Sequence, residues 1–553
     1  MASFISTLKE LIHPRATDLV IPALLVVSAG TALHPRVQRL PSVVPWVRRL
    51  ATLGTKPWLP GIFALLAATG SALVALLVQW PHPFVHDEFS YLLAADTFAS
   101  GRLTNPTHPL WPHFEAFHVI HQPTYMSKYP PGQGLLLALG QVVGGDPVVG
   151  VWLGVALMCA AVCWMLQAWL PAHWALLGAT LVLLRLGICS YWAQSYWGGA
   201  LAATGGALLY GALPRMQRRR TVGRSVAMGL GVGILANTRP YEGLLVSLPA
   251  AVWLLVMLIR DGRGAVRALL PAAVILVVIG AGMLHYNRVV TGSPTTLPYQ
   301  VHEAQYARAP PVLWGAPKAS HPTRAQGRMA NFDAWTMELY ERHLTLSGFT
   351  SALVEKLFQT ARTYLDLILT LPLLLVPLAW RRRRTRAALA VMACLGAGLL
   401  VVTAVMPHYV APLTAVLFFL VVQGLRVLRR LRWRGHPVGA TALAGILVLS
   451  VATFILRLPK SEMQQWGNVR ARLLQRLDSD PDRHLVVVRY GPEHSAHLEW
   501  VYNRADIDHA KIVFARELDE ESNRRLVEHF QGRRIWLMEM LNHEQEPVLK
   551  PYP

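Results

Sequence analysis

The feature that most constrains this chain is a series of apolar runs, each of roughly 17–25 residues, long enough to cross a hydrocarbon core of about 30 Å as a helix. They fall at 61–80, 147–170, 172–190, 197–213, 224–238, 242–259, 267–285, 357–379, 387–406, 409–425 and 438–457. A chain so divided is mostly α: a polytopic membrane helical bundle of about 11–12 transmembrane helices. Val20–Leu33 is a further, shorter run that either spans or lies at the interface. Of the 553 residues, 53% are hydrophobic and only 15% are charged, against about 25% charged in soluble proteins. The net charge of +21 does not point to nucleic acid, because the arginines sit in clusters between apolar runs. There they set orientation. The four cysteines lie in or at the ends of apolar runs and lack metal-ligand spacing.

Topology follows from charge. Arg36, Arg39, Arg48, Arg49 and Lys56 precede the run 61–80, and Asp87 and Glu88 follow it. The positive-inside rule puts the first group in the cytoplasm and the second outside. Gly132–Val143 is too short to cross and reads as a re-entrant or juxtamembrane helix. With that choice Arg215–Arg220, Arg260–Arg267, Arg381–Arg384 and Arg426–Arg434 all fall on the cytoplasmic side. If the short run crossed, all of them would flip outward.

Three segments divide the chain further. Residues 1–59 form an N-terminal cytoplasmic or interfacial segment. Residues 60–457 form the membrane domain, with long outer loops at 81–146 and 286–356. Loops of that length are usually functional, and their Pro, His, Tyr and Trp content predicts folded caps. Asn331–His343 reads as an amphipathic helix, with Phe332, Trp335 and Leu339 on one side. Residues 458–553 change character: strands at 485–490, 511–515 and 534–538 and a helix at 519–530 predict a small extracytoplasmic α/β domain. That domain has no glycine-rich nucleotide loop, so its expected role is binding or docking.

Residues able to carry chemistry gather on the outer face. Asp87-Glu88 lies just beyond the first firm span, and Lys128 opens Lys128-Tyr129-Pro130-Pro131 before the short apolar run. Asn237-Thr238-Arg239-Pro240-Tyr241-Glu242 is an outer turn in which Arg239 either pairs with Glu242 or faces a cavity. Arg185 either snorkels outward or lines a polar cavity. His285-Tyr286-Asn287-Arg288, Tyr191–Trp197 and Pro407-His408-Tyr409 are further outer turns, each equally readable as an aromatic belt. Basic groups at headgroup level suit a lipid phosphate, aromatic rings such as Tyr129 and Tyr409 suit a sugar, and a desolvated carboxylate is expected to have a raised pKa.

These motifs resemble the GT-C membrane glycosyltransferases, in the branch of the protein O-mannosyltransferases and the lipid A aminoarabinose transferases. His86-Asp87-Glu88-Phe89-Ser90-Tyr91 after a first span, and Lys128-Tyr129-Pro130-Pro131 opening a juxtamembrane helix, carry the resemblance over roughly residues 60–457. Tyr129, between Lys128 and Pro130, departs from the lipid A branch. The resemblance implies inverting transfer of a sugar from a polyprenyl-phosphate donor to a glycan, lipid or protein acceptor on the extracytoplasmic face. It makes Asp87 the catalytic base, gives Glu88 a supporting or acceptor-placing role, and makes Lys128 a donor-phosphate contact. Arg239 and His408 are added as phosphate ligands by position alone. A divalent cation is left open, since one acidic pair is thin ligation. The alternatives are a transporter or flippase of lipid-linked sugar, or an inactive assembly partner. Transporters usually show internal repeats and midplane polar groups, and neither is evident. For a bacterial chain, which the Ala- and Arg-rich composition suggests, the location is the plasma (inner) membrane, with the site facing the periplasm.

Overall fold

The computed structural model describes residues 52–318, 328–457, 465–495, 497–542 and 547–553. The run Val20–Leu33 lies outside them. The first span is α1 (Leu59–Leu77), and it ends where the polar segment carrying Asp87 begins. The first outer loop is built from α2 (His86–Ala99), a hairpin of β1 (Val119–Ile120) and β2 (Met126–Ser127), and α3 (Pro131–Gly144). The short run is thus a 14-residue helix. One side of it exposes Leu135, Leu139, Val142 and Val143, an apolar face suited to lipid.

The bundle continues with α4 (Val148–Trp169), α5 (Ala172–Val182, ending in a π turn at Leu183–Gly187), α6 (Gly199–Arg218) and α7 (Val222–Thr238). Next comes the long run α8 (Pro240–Thr291), broken at Gly262, where φ is 51°. Glycine adopts that left-handed conformation without steric cost, so the two spans predicted at 242–259 and 267–285 turn back on each other there. The predicted turn His285–Arg288 is instead the helical end of α8, and Tyr286 packs on Phe98. The second outer loop contains α9 (Pro298–Tyr306) and α10 (Arg328–His343).

The span predicted at 357–379 is not straight. Here α11 (Leu346–Tyr364) and α12 (Asp366–Thr370, followed by a 3-10 segment to Ala379) meet at a bend of 104°. Asp366 sits in the break with φ 54°. Its carboxylate takes Arg185 and Arg457 as partners, an interaction invisible to hydropathy. The membrane part closes with α13 (Arg383–Leu400), a 3-10 turn at Pro407–Leu413 leading into α14 (Thr414–Leu428), and α15 (Val438–Leu456).

By length and apolarity five helical segments of the described residues can cross a membrane, and the bent pair makes a sixth. The remaining predicted spans are helices that are shorter or more polar. The segment ending in α14 is 89% buried across its apolar window, whereas that of α8 is 6% buried. Rows of exposed leucine and valine on α1 and α8, such as Leu76, Leu77 and Val277, require a lipid solvent. The chain is an integral membrane protein.

The tail is a small α/β unit: α16 (Gln465–Ser479), β3 (His484–Glu493), β4 (Ile512–Arg516), α17 (Glu520–His529), β5 (Arg534–Asn542) and β6 (Leu549–Pro551). The strand order is β4-β3-β5-β6, with β3 parallel to both β4 and β5 and with β6 antiparallel at the edge. It does not stand apart from the membrane domain. One hydrophobic cluster joins Phe89, Leu93, Phe114 and Tyr125 of the first outer loop to Leu485, Val487, Tyr502 and Phe530 of the tail. Phe89 and Tyr502 stack with centroids 4.2 Å apart.

Candidate active site

The site is assembled by short polar ties between distant segments. Ser90, two residues beyond Glu88 on α2, donates from Oγ to the His118 carbonyl at 2.7 Å and pairs with Ser127 Oγ at 2.7 Å. Lys128 N–H donates to the His118 carbonyl at 3.1 Å. These bonds fix the β1–β2 hairpin beside α2, so that Lys128 and Tyr129 leave the hairpin facing the first turn of α2. The Tyr129 hydroxyl donates to Asp87 Oδ1, and its ring stacks on Tyr91 with centroids 4.6 Å apart.

Arg239 arrives through a close backbone approach. Gly132, at the start of α3, lies so near the end of α7 that a Cβ there would stand 2.6 Å from the Asn237 carbonyl oxygen. That contact brings Arg239, at the junction of α7 and α8, into the same cluster of side chains. Its guanidinium lies 4.7 Å from the centroid of the Tyr409 ring, within cation–π range. It also faces Tyr91, Tyr129 and Glu242. Of the two readings of Arg239, pairing with Glu242 is not what is found: no carboxylate of the described residues lies within ion-pair distance. His408 is buried between Trp197, 5.3 Å away, and Tyr409, 5.1 Å away, and is close enough to Asp87 to act on its charge.

Lys128 is buried. Its Nζ lies 5.0 Å from the Tyr299 ring and 5.4 Å from the Tyr129 ring. Burial lowers its pKa, Glu303 and Asp87 oppose that, and Arg239 adds to it, so that the net effect is a fall. Tyr299 and Glu303, both on α9, thus complete the site from the second outer loop. Neither belongs to a motif, and sequence offered no signal for them beyond the length of that loop.

The two neighbouring carboxylates behave in opposite ways. Burial pushes Asp87 upward, but His86, the Tyr129 hydrogen bond, His408 and Lys128 together outweigh it and hold the group below the ordinary carboxylate range. This corrects the expectation of a raised pKa, which counted desolvation and not the cations around the group. The raised carboxyl is Glu88. Burial carries it to about 7, against backbone bonds from Phe84, Tyr196 and Val85. Its oxygens are taken by backbone N–H groups, Phe84 at 3.0 Å and Val85 at 3.3 Å on one oxygen and Tyr196 at 3.0 Å on the other. Glu88 therefore caps α2 and ties down the 188–198 turn.

Arg185 lines no part of this cavity; it reaches Asp366, with Nη1–Oδ2 at 2.7 Å. For a divalent cation, Asp87 belongs to no cluster of metal-type ligands among the described residues. Among the described residues His108, Asp508 and His529 have ligand atoms within 4.8 Å of one another. His108 Nδ1 accepts from the Leu110 N–H at 3.0 Å, so its proton is on Nε2, aimed at Asp508 Oδ1 3.1 Å away. A metal would need that nitrogen bare. The trio as built is a hydrogen-bonded clasp between the first outer loop and the tail.

No family model and no curated protein matches the sequence. Solved structures do. ArnT from Cupriavidus metallidurans in the apo state superposes with a TM-score of 0.50 at 15% identity, over 87% of this chain and 93% of that one. The same protein bound to undecaprenyl phosphate gives 0.51 at 14% identity over the same shares. The Archaeoglobus fulgidus oligosaccharyltransferase gives 0.47 at 11% identity over 81% of this chain. This chain spans only 63% of that protein's length. Helix order, the folded outer loops and a superposition covering nearly the whole of ArnT lead to one conclusion: the chain has the GT-C fold of membrane glycosyltransferases.

Proposed function

We propose that this protein transfers a sugar from a polyprenyl-phosphate donor to an acceptor hydroxyl or amine on the extracytoplasmic face, with inversion at the anomeric carbon. The observation that carries the reading is one cluster in which a carboxylate held below its ordinary pKa range, Asp87, stands beside two cations, Lys128 and Arg239, that have no ion-pair partner among the described residues. Cations left without a carboxylate partner, Lys128 buried and Arg239 partly so, suit a ligand that brings its own negative charge. The donor phosphate diester supplies one, and ArnT of the same fold has been solved with undecaprenyl phosphate bound.

In the reaction the acceptor's lone pair attacks the anomeric carbon from the face opposite the phosphate. The bond from that carbon to the phosphate oxygen breaks, and its electron pair leaves on the polyprenyl phosphate. Lys128 and Arg239 stabilise the charge that develops there. Asp87, held by Tyr129, accepts the acceptor's proton as its nucleophile adds. Because Asp87 is ionised well below neutral pH, the base is available without prior deprotonation. Tyr129 and Tyr409 offer aromatic contact to the sugar, and His408 is close enough to Asp87 to act on its charge.

The test is transfer from a panel of radiolabelled polyprenyl-phosphate sugars by the purified protein, run beside Asp87→Asn. Label reaching an acceptor, or released as free sugar, only with Asp87 intact supports the transferase and names the donor. Saturable donor binding without turnover in the unaltered protein would favour a carrier or an inactive partner instead. Full turnover by Asp87→Asn would remove Asp87 as the base.

A further inference from the structure

The end of the bundle away from Asp87 gathers arginines into one surface patch. α14 carries the chain there from His408, over 15 residues or about 22 Å, and α6 carries it there from the turn that holds Trp197. Arg382, just before α13, and Arg426, in the last turn of α14, both donate from Nη1 to Oε1 of Gln423, at 2.5 Å and 3.1 Å. Gln423 is itself only 2% exposed. Arg384 Nη1 donates to the Trp169 carbonyl at 2.7 Å, and the Arg429 guanidinium lies 6.0 Å from the centroid of the Trp174 ring. Arg430 is near enough to Arg382 and Arg426 for their charges to act on one another, as Arg218 is to Arg384.

These arginines are held by neutral groups: an amide oxygen, a backbone carbonyl and an indole ring. None of them has a carboxylate of the described residues within ion-pair distance. Sequence supplies little acid to oppose them. Asp261, already paired with Arg220, is the one acidic residue in segments 211–224, 260–267, 381–386 and 426–436. Residues 1–51 set two acids, Glu10 and Asp18, against six lysines and arginines, so that segment carries the same sign.

Orientation in a membrane asks only that basic residues be present in a segment. It gives no reason for arginines of two helices to converge on one buried amide against their mutual repulsion. An anion held among the guanidinium forks does give one. The surroundings point to lipid. Leu378 and Trp380, just before Arg382, and Leu431 and Trp433, just after Arg430, are exposed. Apolar and tryptophan surface of this kind meets a bilayer at headgroup depth, where basic clusters recognise anionic headgroups.

We infer that this patch binds the phosphate of anionic phospholipids, with Arg382 and Arg426 at its centre and Arg430 at its edge. The inference does not depend on the transferase reading.

Native mass spectrometry of the full chain, titrated with phosphatidylglycerol or with phosphatidylcholine, reads retained lipid. The unaltered protein is expected to retain phosphatidylglycerol at least about tenfold better than phosphatidylcholine. Equal retention overturns the proposal whatever the variants do. Arg426→Gln combined with Arg430→Gln is expected to lose most of that preference, and Arg426→Lys combined with Arg430→Lys, which keeps the charge, to retain much of it. An undiminished preference in the glutamine pair overturns the proposal. Arg263→Gln with Arg267→Gln removes two exposed charges beside the break of α8, outside the patch, and is expected to leave the preference unchanged. If that pair lost it as fully as the first, the lipid would be answering to the net charge of this end, and the patch would be no site.

Discussion

Two regions of this molecule bury arginine or lysine beneath the outer loops, and they treat the charge differently. Where the tail docks, Arg516 and Glu499 are 5% and 0% exposed and pair at 2.8 Å. Arg516 also donates to the Glu115 carbonyl at 3.1 Å. The second oxygen of Glu499 accepts from the Val501 N–H at 3.1 Å and from the Tyr490 hydroxyl. Around Asp87, by contrast, Lys128 and Arg239 meet aromatic faces, and no carboxylate of the described residues lies within ion-pair distance. Burying a pair costs desolvation that the pair offsets, while burying an unmatched charge is a cost that folding alone does not explain. The difference separates a joint, whose charges are matched as folded, from the proposed site, whose cations would be matched by the ligand.

The comparison is sharpest at Asp87. Replacing it with Asn is expected to lower transfer by about 10²–10⁴-fold, while donor binding and thermal stability stay near those of the unaltered protein. Glu499→Gln should do the reverse. It strands the buried Arg516 charge, at a cost of about 3–5 kcal/mol, and should lower the melting temperature and open the tail to proteolysis. If Glu499→Gln melted like the unaltered protein, the joint would not depend on its charge pair.

Much of this was open to sequence reading, for identifiable reasons. The apolar runs gave the helices because length and hydropathy are local properties. The same topology put Asp87, Lys128, Arg239 and His408 on one membrane face, where they are neighbours. What sequence could not reach was set by long-range contacts. Glu88 looks like a twin of Asp87 until the N–H of Tyr196, 108 residues away, is seen to cap it. Asp366 is one carboxylate in an apolar stretch, and only Arg185 and Arg457 reveal why the helix breaks there. The docking of the tail depends on Phe89 and Tyr502, residues that read as ordinary apolar positions in two unrelated segments.

Lys128→Ala and Arg239→Ala extend the comparison to the cations. Each removes a charge-assisted contact of about 1.5–3 kcal/mol, so half-saturation by donor should rise roughly 10–100-fold with little change for acceptor. Because Lys128→Ala also removes an unmatched buried charge, its melting temperature should hold or rise. A fall in stability comparable with that of Glu499→Gln would show that these cations belong to the joint class after all.

The smallest expected effect lies at Glu88, where burial and capping oppose each other. Its pKa in the fold is about 7, above the usual value near 4.3 for an unfolded chain. A carboxyl raised by folding favours the folded state in its protonated form. Its contribution is therefore whole below the unfolded pKa, is lost as pH rises toward 7, and changes no further above that. The slope is at most about 1.4 kcal/mol per pH unit. Glu88→Gln cannot ionise and should lack this term, at the price of one weakened cap bond, since an amide offers a single acceptor oxygen. The difference in melting temperature between Glu88→Gln and the unaltered protein should thus move in favour of glutamine, by a degree or so per unit, as pH goes from about 4.5 to 7. A difference that stays flat across that window would mean that Glu88 is ionised throughout. It would then share the electrostatic character of Asp87, and the two carboxylates would differ only in the direction their oxygens face.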